Sequence, residues 1–516
     1  MSAQHSEHDY IIIGSGAAGG VIAYRLALKG HRVLLLEAGG ADEDPAIARL
    51  EVTSLFEIWR PDHDWGLATE VDPGLGGRSM PILQGRVLGG GTSVNGRIFL
   101  RGNRKDYDYW GYLGNEGWSY EEVLPYFRKL EDYEGGSSEY RGAGGPLHIR
   151  DLINPTQAAT TFVEAAVERG FQGMPWDFNS GQQEGAAGFT QSNTTKDGRR
   201  GSTAEVFIRP LLDRENFRLE LGALATRVLI EGGRAVGVEY RQGAELKVAR
   251  AGAEVIVSAG ALSTPKLLML SGVGPAEQLR EHGISVACDL PGVGRNLQDH
   301  VLVPMGYAAK QEQTTPSIIC EATLFTHTRG DRSTASPNLQ FFFGGFVFPD
   351  VGPTTQGFTI CPVVNQAHSV GQVSLRSADP DDRPVVQMNY FQAEHDMKVM
   401  LEGMRIAEDI VHAPAFDSLR AQRLRPGPEV RTKQEQIDFV RATAITDWHP
   451  SCSCKMGHDA MAVVDPRLRV HGVEGLRVAD SSVMPHIVNC NINSTCLMIG
   501  EKAADMILRA RVVADS

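Results

Sequence analysis

The 516-residue chain has only seven cysteines, Cys288, Cys320, Cys361, Cys452, Cys454, Cys490 and Cys496, all in its second half. An odd number of late, scattered thiols does not build a secreted disulfide framework, so a reducing, cytoplasmic compartment is expected. Positive charge is also in short supply: 50 Lys and Arg stand against 63 Asp and Glu, a formal net charge of -13. With no Lys/Arg-rich stripe to offset it, that balance excludes a nucleic-acid binder that works by neutralising phosphates. No uninterrupted apolar run approaches the ~18 residues of a membrane-spanning helix, so no membrane span is expected. Glu7 and Asp9 precede the first apolar run, where a secretory leader would carry basic residues, and glycines break the run before Arg25. What is there instead is ordinary globular composition, 42% hydrophobic and 22% charged. The length suggests two or three domains.

The densest local signal lies in Tyr10 to Gly40. Ile11, Ile12 and Ile13 form a β-branched run, Gly14-Ser15-Gly16-Ala17-Ala18-Gly19 follows at once, and Val21 to Leu28 carries apolar residues at helical spacing. Val33 to Leu36 resumes a buried strand that Glu37 closes. Each part has a task in dinucleotide binding. The first glycine permits the turn, the second lets backbone approach a pyrophosphate, and the third lets helix and strand pack closely. The phosphates sit on unpaired N–H groups at the helix N-terminus, and Glu37 is placed to accept hydrogen bonds from a ribose. The turn alone leaves NAD and FAD open.

Gly40 to Gly102 reads as irregular and contains the string Gly85-Arg86-Val87-Leu88-Gly89-Gly90-Gly91-Thr92-Ser93-Val94-Asn95-Gly96. Such a segment brings backbone close to a ligand or forms a mobile surface loop. Helices are expected at Trp118 to Glu134 and Thr156 to Arg169, with a domain boundary between them in a Gly/Ser-rich stretch. From about Arg200 the chain returns to the first domain, with strands at Phe217 to Leu221, Ala225 to Ile230, Val236 to Arg241 and Glu254 to Ala259, and a second glycine corner at Gly260. The texture from about Val301 to Val464 suggests an antiparallel sheet backed by helices. Within it, Phe341, Phe342, Phe343, Phe346 and Phe348 are either core or, by alternation, partly the lining of an apolar pocket.

Two further motifs lie near the C-terminus: Asp447 to Gly457, and Leu476 to Pro485 followed by Asn489, Asn491, Asn493 and a helix from about Thr495. Cys452 and Cys454 beside His449 lack the remaining ligands of a zinc pattern, so no metal is expected.

Together these motifs resemble those of the glucose–methanol–choline (GMC) oxidoreductases. The resemblance rests on the Gly14 turn with Glu37, the Arg86 to Asn95 loop, the Gly260 to Pro275 signature, Asn296 to His300, Trp448-His449-Pro450 and Asn491, in family order along nearly the whole chain. It implies an α/β fold: a Rossmann-like FAD-binding domain (1–150, 201–300 and 465–516) and a discontinuous substrate-binding domain on an antiparallel sheet backed by helices (151–200 and 301–464). It implies FAD, with Gly14, Gly16, Ala17, Ala18, Gly19, Glu37 and Ala38 at the ADP half and Val228 meeting adenine through its backbone. Arg86, Gly90, Thr92, Asn95, Ala259, Ala479, Asp480, Asn491 and Ile492 complete the cofactor side. His449 and Asn491 match the catalytic pair. Some members attach FAD through a histidine in the glycine loop; here that position is Val94, which implies non-covalent binding. Cys452 stands where the family has glycine.

Oxidising an alcohol requires loss of the hydroxyl proton and transfer of a hydride from the same carbon. A histidine suits the first task, its ordinary pKa lying near ~6.5, and Asn491 would fix the substrate oxygen without titrating. The expected partners are a small-molecule alcohol and oxygen or another electron acceptor. Trp65, Trp448 and the Phe-rich strand favour an aromatic or apolar primary alcohol. The alternatives are a choline-like alcohol, with Glu321 as counter-charge, and a non-redox lyase or photodecarboxylase on the same scaffold.

Overall fold

In the computed structural model, which describes residues 8–328, 335–348 and 354–515, the isoleucine run forms the centre of a parallel sheet. Ile11 and Ile12 are 0% exposed, and Ile11 lies opposite Leu34 on one side and Val255 on the other. A strand covered on both faces needs a continuous apolar run, and this segment supplies one. In spatial order the parallel strands are Phe217–Glu220, Val33–Leu36, His8–Ile13, Glu245–Val257 and Leu476–Val478. Glu245–Val257 is long enough to serve twice. Its later residues join the parallel sheet, and its earlier ones pair antiparallel with Arg234–Gln242, which in turn pairs with Ala223–Glu231. Helix Ala17–Leu28 lies against the sheet, and helix Asn493–Asp515 packs on it. Glu7 lies outside the described residues.

A second sheet is antiparallel throughout, in the order Arg420–Arg425, Met305–Ala309, Gly357–Val364, Leu339–Gly344, Ala322–Thr326 and Ala187–Phe189, with Val301–Leu302 bridging Gly357–Val364 to Ile445–Thr446. Helices Gln157–Glu168 and Glu394–Val411 pack on it. Alternation along Leu339–Gly344 splits the phenylalanines. Phe343 stacks on Phe162, with ring centroids 4.7 Å apart, while Phe342 faces the other way into a cavity.

The boundary expected at residue 150 cuts through a third, smaller sheet. Ile98–Phe99, Gln191–Thr194, Leu147–Arg150 and Glu131–Tyr133 pair side by side, so chain from both sides of that point shares one set of hydrogen bonds. The glycine string at 85–96 is a packed turn closed by a single helical turn, Gly91–Val94. A Cβ on Gly90, whose φ is +52°, would come within 3.1 Å of Gly16 Cα, which brings the two glycine segments together.

Candidate active site

One cavity of about 370 Å³ runs from the first glycine turn to His449. At one end it is walled by Gly14, Gly16, Ala17, Ala18, Glu37 and Ala38, then by Ala223 to Ala225, Ala259 and Gly260. Gly90, Thr92, Val94 and Asn95 form its middle, with Asp480, Asn491, Ile492 and Asn493. The far end is closed by Trp448, His449, Asp447, Trp59, Trp65, Leu302, Phe342, Phe346 and Phe348.

The three glycines of the turn do separate jobs. A Cβ on Gly14 would sit 2.3 Å from the Ser258 carbonyl oxygen, and one on Gly19 would sit 2.0 Å from the Gly14 oxygen, so both are packing glycines. A Cβ on Gly16 would meet no protein atom within 4 Å and would project into the cavity. Gly16 is also the N-cap of helix Ala17–Leu28 and offers no side-chain cap, leaving the first-turn N–H groups for an anion. Glu37 is buried. Its Oε2 accepts from the Ser15 N–H (3.1 Å) and the Ser15 hydroxyl and its Oε1 from the Gly39 N–H (2.8 Å), so Oε1 keeps a lone pair for a further donor. Burial pushes its pKa up, and these hydrogen bonds hold it back. Further along, Ser258 Oγ, Asn491 Oδ1 and Asn493 Nδ2 are buried without hydrogen-bond partners on the same cavity. Unsatisfied polar atoms of this kind cost about 1–3 kcal/mol each, so the wall is built for a polar ligand.

Not every expected residue reaches this wall. Val228 is buried and its N–H donates to Ser271 Oγ (2.8 Å), so it is not free for adenine; Ala223, Leu224 and Ala225 occupy the cavity edge instead. Ala479 is fully buried, its N–H donating to the Val257 carbonyl. Arg86 lays its guanidinium 5.0 Å over the Trp65 ring and supports the wall from behind. Gly19 acts through packing, as above. Asp480 lines the cavity and fixes its neighbour loop, accepting from the Gly260 N–H (2.9 Å) and the Thr264 hydroxyl (2.6 Å). Glu321 is not available as a counter-charge. Its carboxylate accepts from the Thr156 N–H (2.9 Å), the Thr156 hydroxyl (2.7 Å) and the Gly345 N–H (3.0 Å), capping helix Gln157–Glu168.

His449 and Asn491 do come together, with 3.2 Å between His449 Nε2 and Asn491 Nδ2. The other ring nitrogen, Nδ1, lies 2.9 Å from His300 Nδ1 and 3.2 Å from Asp447 Oδ2. The backbone is pinned as well: the His449 N–H donates to Asp299 Oδ1 (2.8 Å), and Asp299 is in turn held by the hydroxyls of Tyr390 and Thr446. Trp448 (φ +57°) and Cys452 (φ +73°) flank His449-Pro450 in the left-handed region. Glycine would fit the second without strain; a tryptophan or cysteine there costs of order 1–3 kcal/mol, which the surrounding hydrogen bonds must offset. Burial sets the protonation states. It pushes His449 well down from the ordinary imidazole range and His300 down to about 3, and it lifts Asp299 to about 6 and Asp447 well up. His300, Asp447 and His449 place ligand atoms within 4.8 Å of one another; Cys452 and Cys454 are not part of that group, and all seven cysteines are free.

Asp299, His300, Asp447, Ser15 and Asn493 are the members that residue-type reasoning left without roles. Asp299 and His300 close the Asn296 to His300 motif and Asp447 opens the next one, so both segments were visible as motifs but not as neighbours in space.

A dinucleotide-shaped cavity that ends on a buried imidazole and an amide defines a cofactor-dependent oxidoreductase. The chain belongs to the GMC oxidoreductases, whose family profiles match residues 8–302 and 367–500. Among curated relatives, the oxygen-dependent choline dehydrogenase of Brucella anthropi is 40% identical over 97% of this chain and 96% of that protein. Among solved structures, pyridoxine 4-oxidase from Mesorbium loti superposes with a TM-score of 0.89 at 30% identity, covering 96% of this chain and 98% of that one. Formate oxidase from Aspergillus oryzae gives 0.89 at 26% identity, covering 99% and 100%. The protein is therefore an FAD-dependent alcohol oxidoreductase. No helix among the described residues is long and apolar enough to cross a membrane.

Proposed function

We propose that this enzyme oxidises a primary alcohol with an apolar or aromatic body to its aldehyde, with His449 as the base. The carrying observation is the continuity of the cavity: it runs unbroken from the Gly16 cradle to the His449–Asn491 pair and ends among Trp59, Trp65, Trp448, Phe342, Phe346 and Phe348. Gly16, Ala17, Ala18 and Glu37 would hold the ADP half of FAD, with Ala225 at adenine. Gly90, Thr92, Asn95, Ala259, Asp480 and Ile492 would flank the flavin, bound non-covalently because Val94 offers no nucleophile. In this reading segments 1–150, 201–300 and 465–516 chiefly bind FAD, and 151–200 and 301–464 chiefly shape the substrate end. When bound, FAD supplies the acceptor for the hydride. His449 takes the hydroxyl proton, and Asn491 donates to the substrate oxygen and fixes which hydrogen faces the cofactor. Helix Asn493–Asp515 opens on the cavity, so its N-terminal N–H groups favour negative charge developing there. Seven free thiols suit a reducing, cytoplasmic setting.

A choline-like substrate is the second reading, favoured by the 40% identical choline dehydrogenase, by the aromatic faces and by the Asp447 carboxyl at that end of the cavity. The test is anaerobic mixing of the FAD-loaded enzyme with a panel of aromatic, aliphatic and quaternary-ammonium alcohols, followed by air. Bleaching by the apolar members alone supports the first reading, and bleaching by choline alone replaces it with the second. A flavin that stays yellow throughout refutes alcohol oxidation. Rapid recolouring in air marks oxygen as the acceptor.

A further inference from the structure

Asp447 is a buried carboxyl on the cavity wall, and its Oδ2 makes no formed hydrogen bond. Removing a carboxyl from water without a partner is costly, so such a group persists only where something else uses it. The nearest titratable nitrogen is Nδ1 of His449, 3.2 Å from that oxygen, and a small rotation of either side chain completes a bond. Catalytic hydrogen bonds are commonly loose before substrate arrives and tighten afterwards. The groups facing the pair are Asp299, His300 and the thiols of Cys320, Cys361 and Cys490. Burial keeps the thiols protonated and His300 neutral. Asp299 already accepts from Tyr390, Thr446 and the His449 backbone. His300 Nδ1 lies 2.9 Å from the same Nδ1, and beside it Asp447 is the group in this set with an acceptor oxygen to spare for the Nδ1 proton.

Building on His449 as the base, we infer that Asp447 is its positioning residue: it holds the Nδ1 proton, which leaves the Nε2 lone pair toward the substrate, and it balances the charge of the imidazolium that forms. The proton taken from the alcohol goes to Nε2, so the ring becomes cationic while Asp447 stays an acceptor. An adjacent carboxylate raises the proton affinity of an imidazole, and its loss lowers it. Because the two groups titrate together, the pH limb they produce belongs to the pair.

The experiment uses the FAD-loaded enzyme and its Asp447→Asn, Asp447→Glu and His449→Gln variants, with an alcohol that bleaches the wild type. Asp447→Asn is expected to keep FAD and the alcohol saturation constant, to lose roughly 10²-fold in limiting reduction rate, the low end of what acid–base catalysis contributes, and to move its acid limb to lower pH. Asp447→Glu should recover part of the rate. A downfield imidazole N–H proton resonance should appear in the wild type and vanish in both Asp447→Asn and His449→Gln. An unchanged rate and pH limb in Asp447→Asn, or survival of that resonance, overturns the inference. Should Asp447→Asn lose FAD, the Asp447→Glu variant decides: a retained resonance with a displaced limb supports the pair, and wild-type behaviour in both overturns it. Undiminished reduction by His449→Gln would instead sink the base assignment itself, a separate result, since the resonance reads the Asp447–His449 bond without any turnover.

Discussion

Replacing Gly14 and Gly16 with alanine should separate the fold from the ligand within a single turn. At Gly14 the new methyl would sit 2.3 Å from the Ser258 carbonyl oxygen, and the residue has φ +102°. The backbone term for an L-residue at positive φ is about 1–2 kcal/mol, and forcing a methyl into packed backbone adds about 1–3. Gly14→Ala is therefore expected to destabilise the protein by about 2–5 kcal/mol whether or not FAD is present. At Gly16 the methyl meets nothing within 4 Å and the backbone is at ordinary negative φ (-64°). The FAD-free protein should tolerate it within about 0.5 kcal/mol, because the loss in cap quality and the gain from a stiffer unfolded chain oppose one another. The cost falls on the cofactor, whose phosphates need the space the methyl takes. Thermal unfolding of the FAD-stripped proteins, paired with flavin absorbance per protein after reconstitution, reads both quantities. If Gly16→Ala lowers the unfolding temperature of the stripped protein as much as Gly14→Ala does, or reconstitutes with full FAD affinity, the cradle assignment is wrong.

Other expectations are simpler to state. His449→Ala should retain FAD and slow its anaerobic reduction by alcohol about 10²–10⁴-fold; retention of wild-type rates by stopped flow would remove the histidine from the chemistry. Asn491→Ala should also slow reduction with FAD still bound, and unchanged reductive rates would show that the amide orients nothing. Phe342→Ala opens the apolar end of the cavity, and the resulting loss of about 1–3 kcal/mol of discrimination should raise KM for aromatic alcohols roughly 10-fold or more. If KM moves equally for methanol and for a benzylic alcohol, that ring is not part of the substrate wall.

What could be read from the chain depended on how local each signal was. The Gly14 turn is complete within one strand–helix–strand unit, and its residues sit on the cavity except Gly19, whose role is packing. The resemblance placed Val228 beside adenine, but it is Ala223 to Ala225 that line the cavity, because the hairpin's pairing with Arg234–Gln242 and the bond from the Val228 N–H to Ser271 are set by the fold and not by the motif. The Gly/Ser-rich stretch before residue 150 looks like a linker, but the strands on either side of it pair with each other. Glu321 looked like a free acid in an apolar segment, and only the fold shows it bound to the end of a helix. Asp299 and His300 join Asp447 and His449 across about 150 positions of sequence, beyond the reach of any local rule.

The cavity wall also sets an order of events during synthesis. Its first residues, Ile13 to Ala18, and its last, Asn491 to Cys496, lie at opposite ends of the chain. The strand His8–Ile13 must wait for Glu245–Val257 to find its second neighbour, and helix Ala17–Leu28 waits for Asn493–Asp515. A ribosome-bound chain therefore carries the phosphate cradle long before it carries the far half of the site. The cavity is incomplete until Asn491 to Cys496 have been made, so a chain cut short even near residue 490 would leave the ribosome without a closed cofactor site.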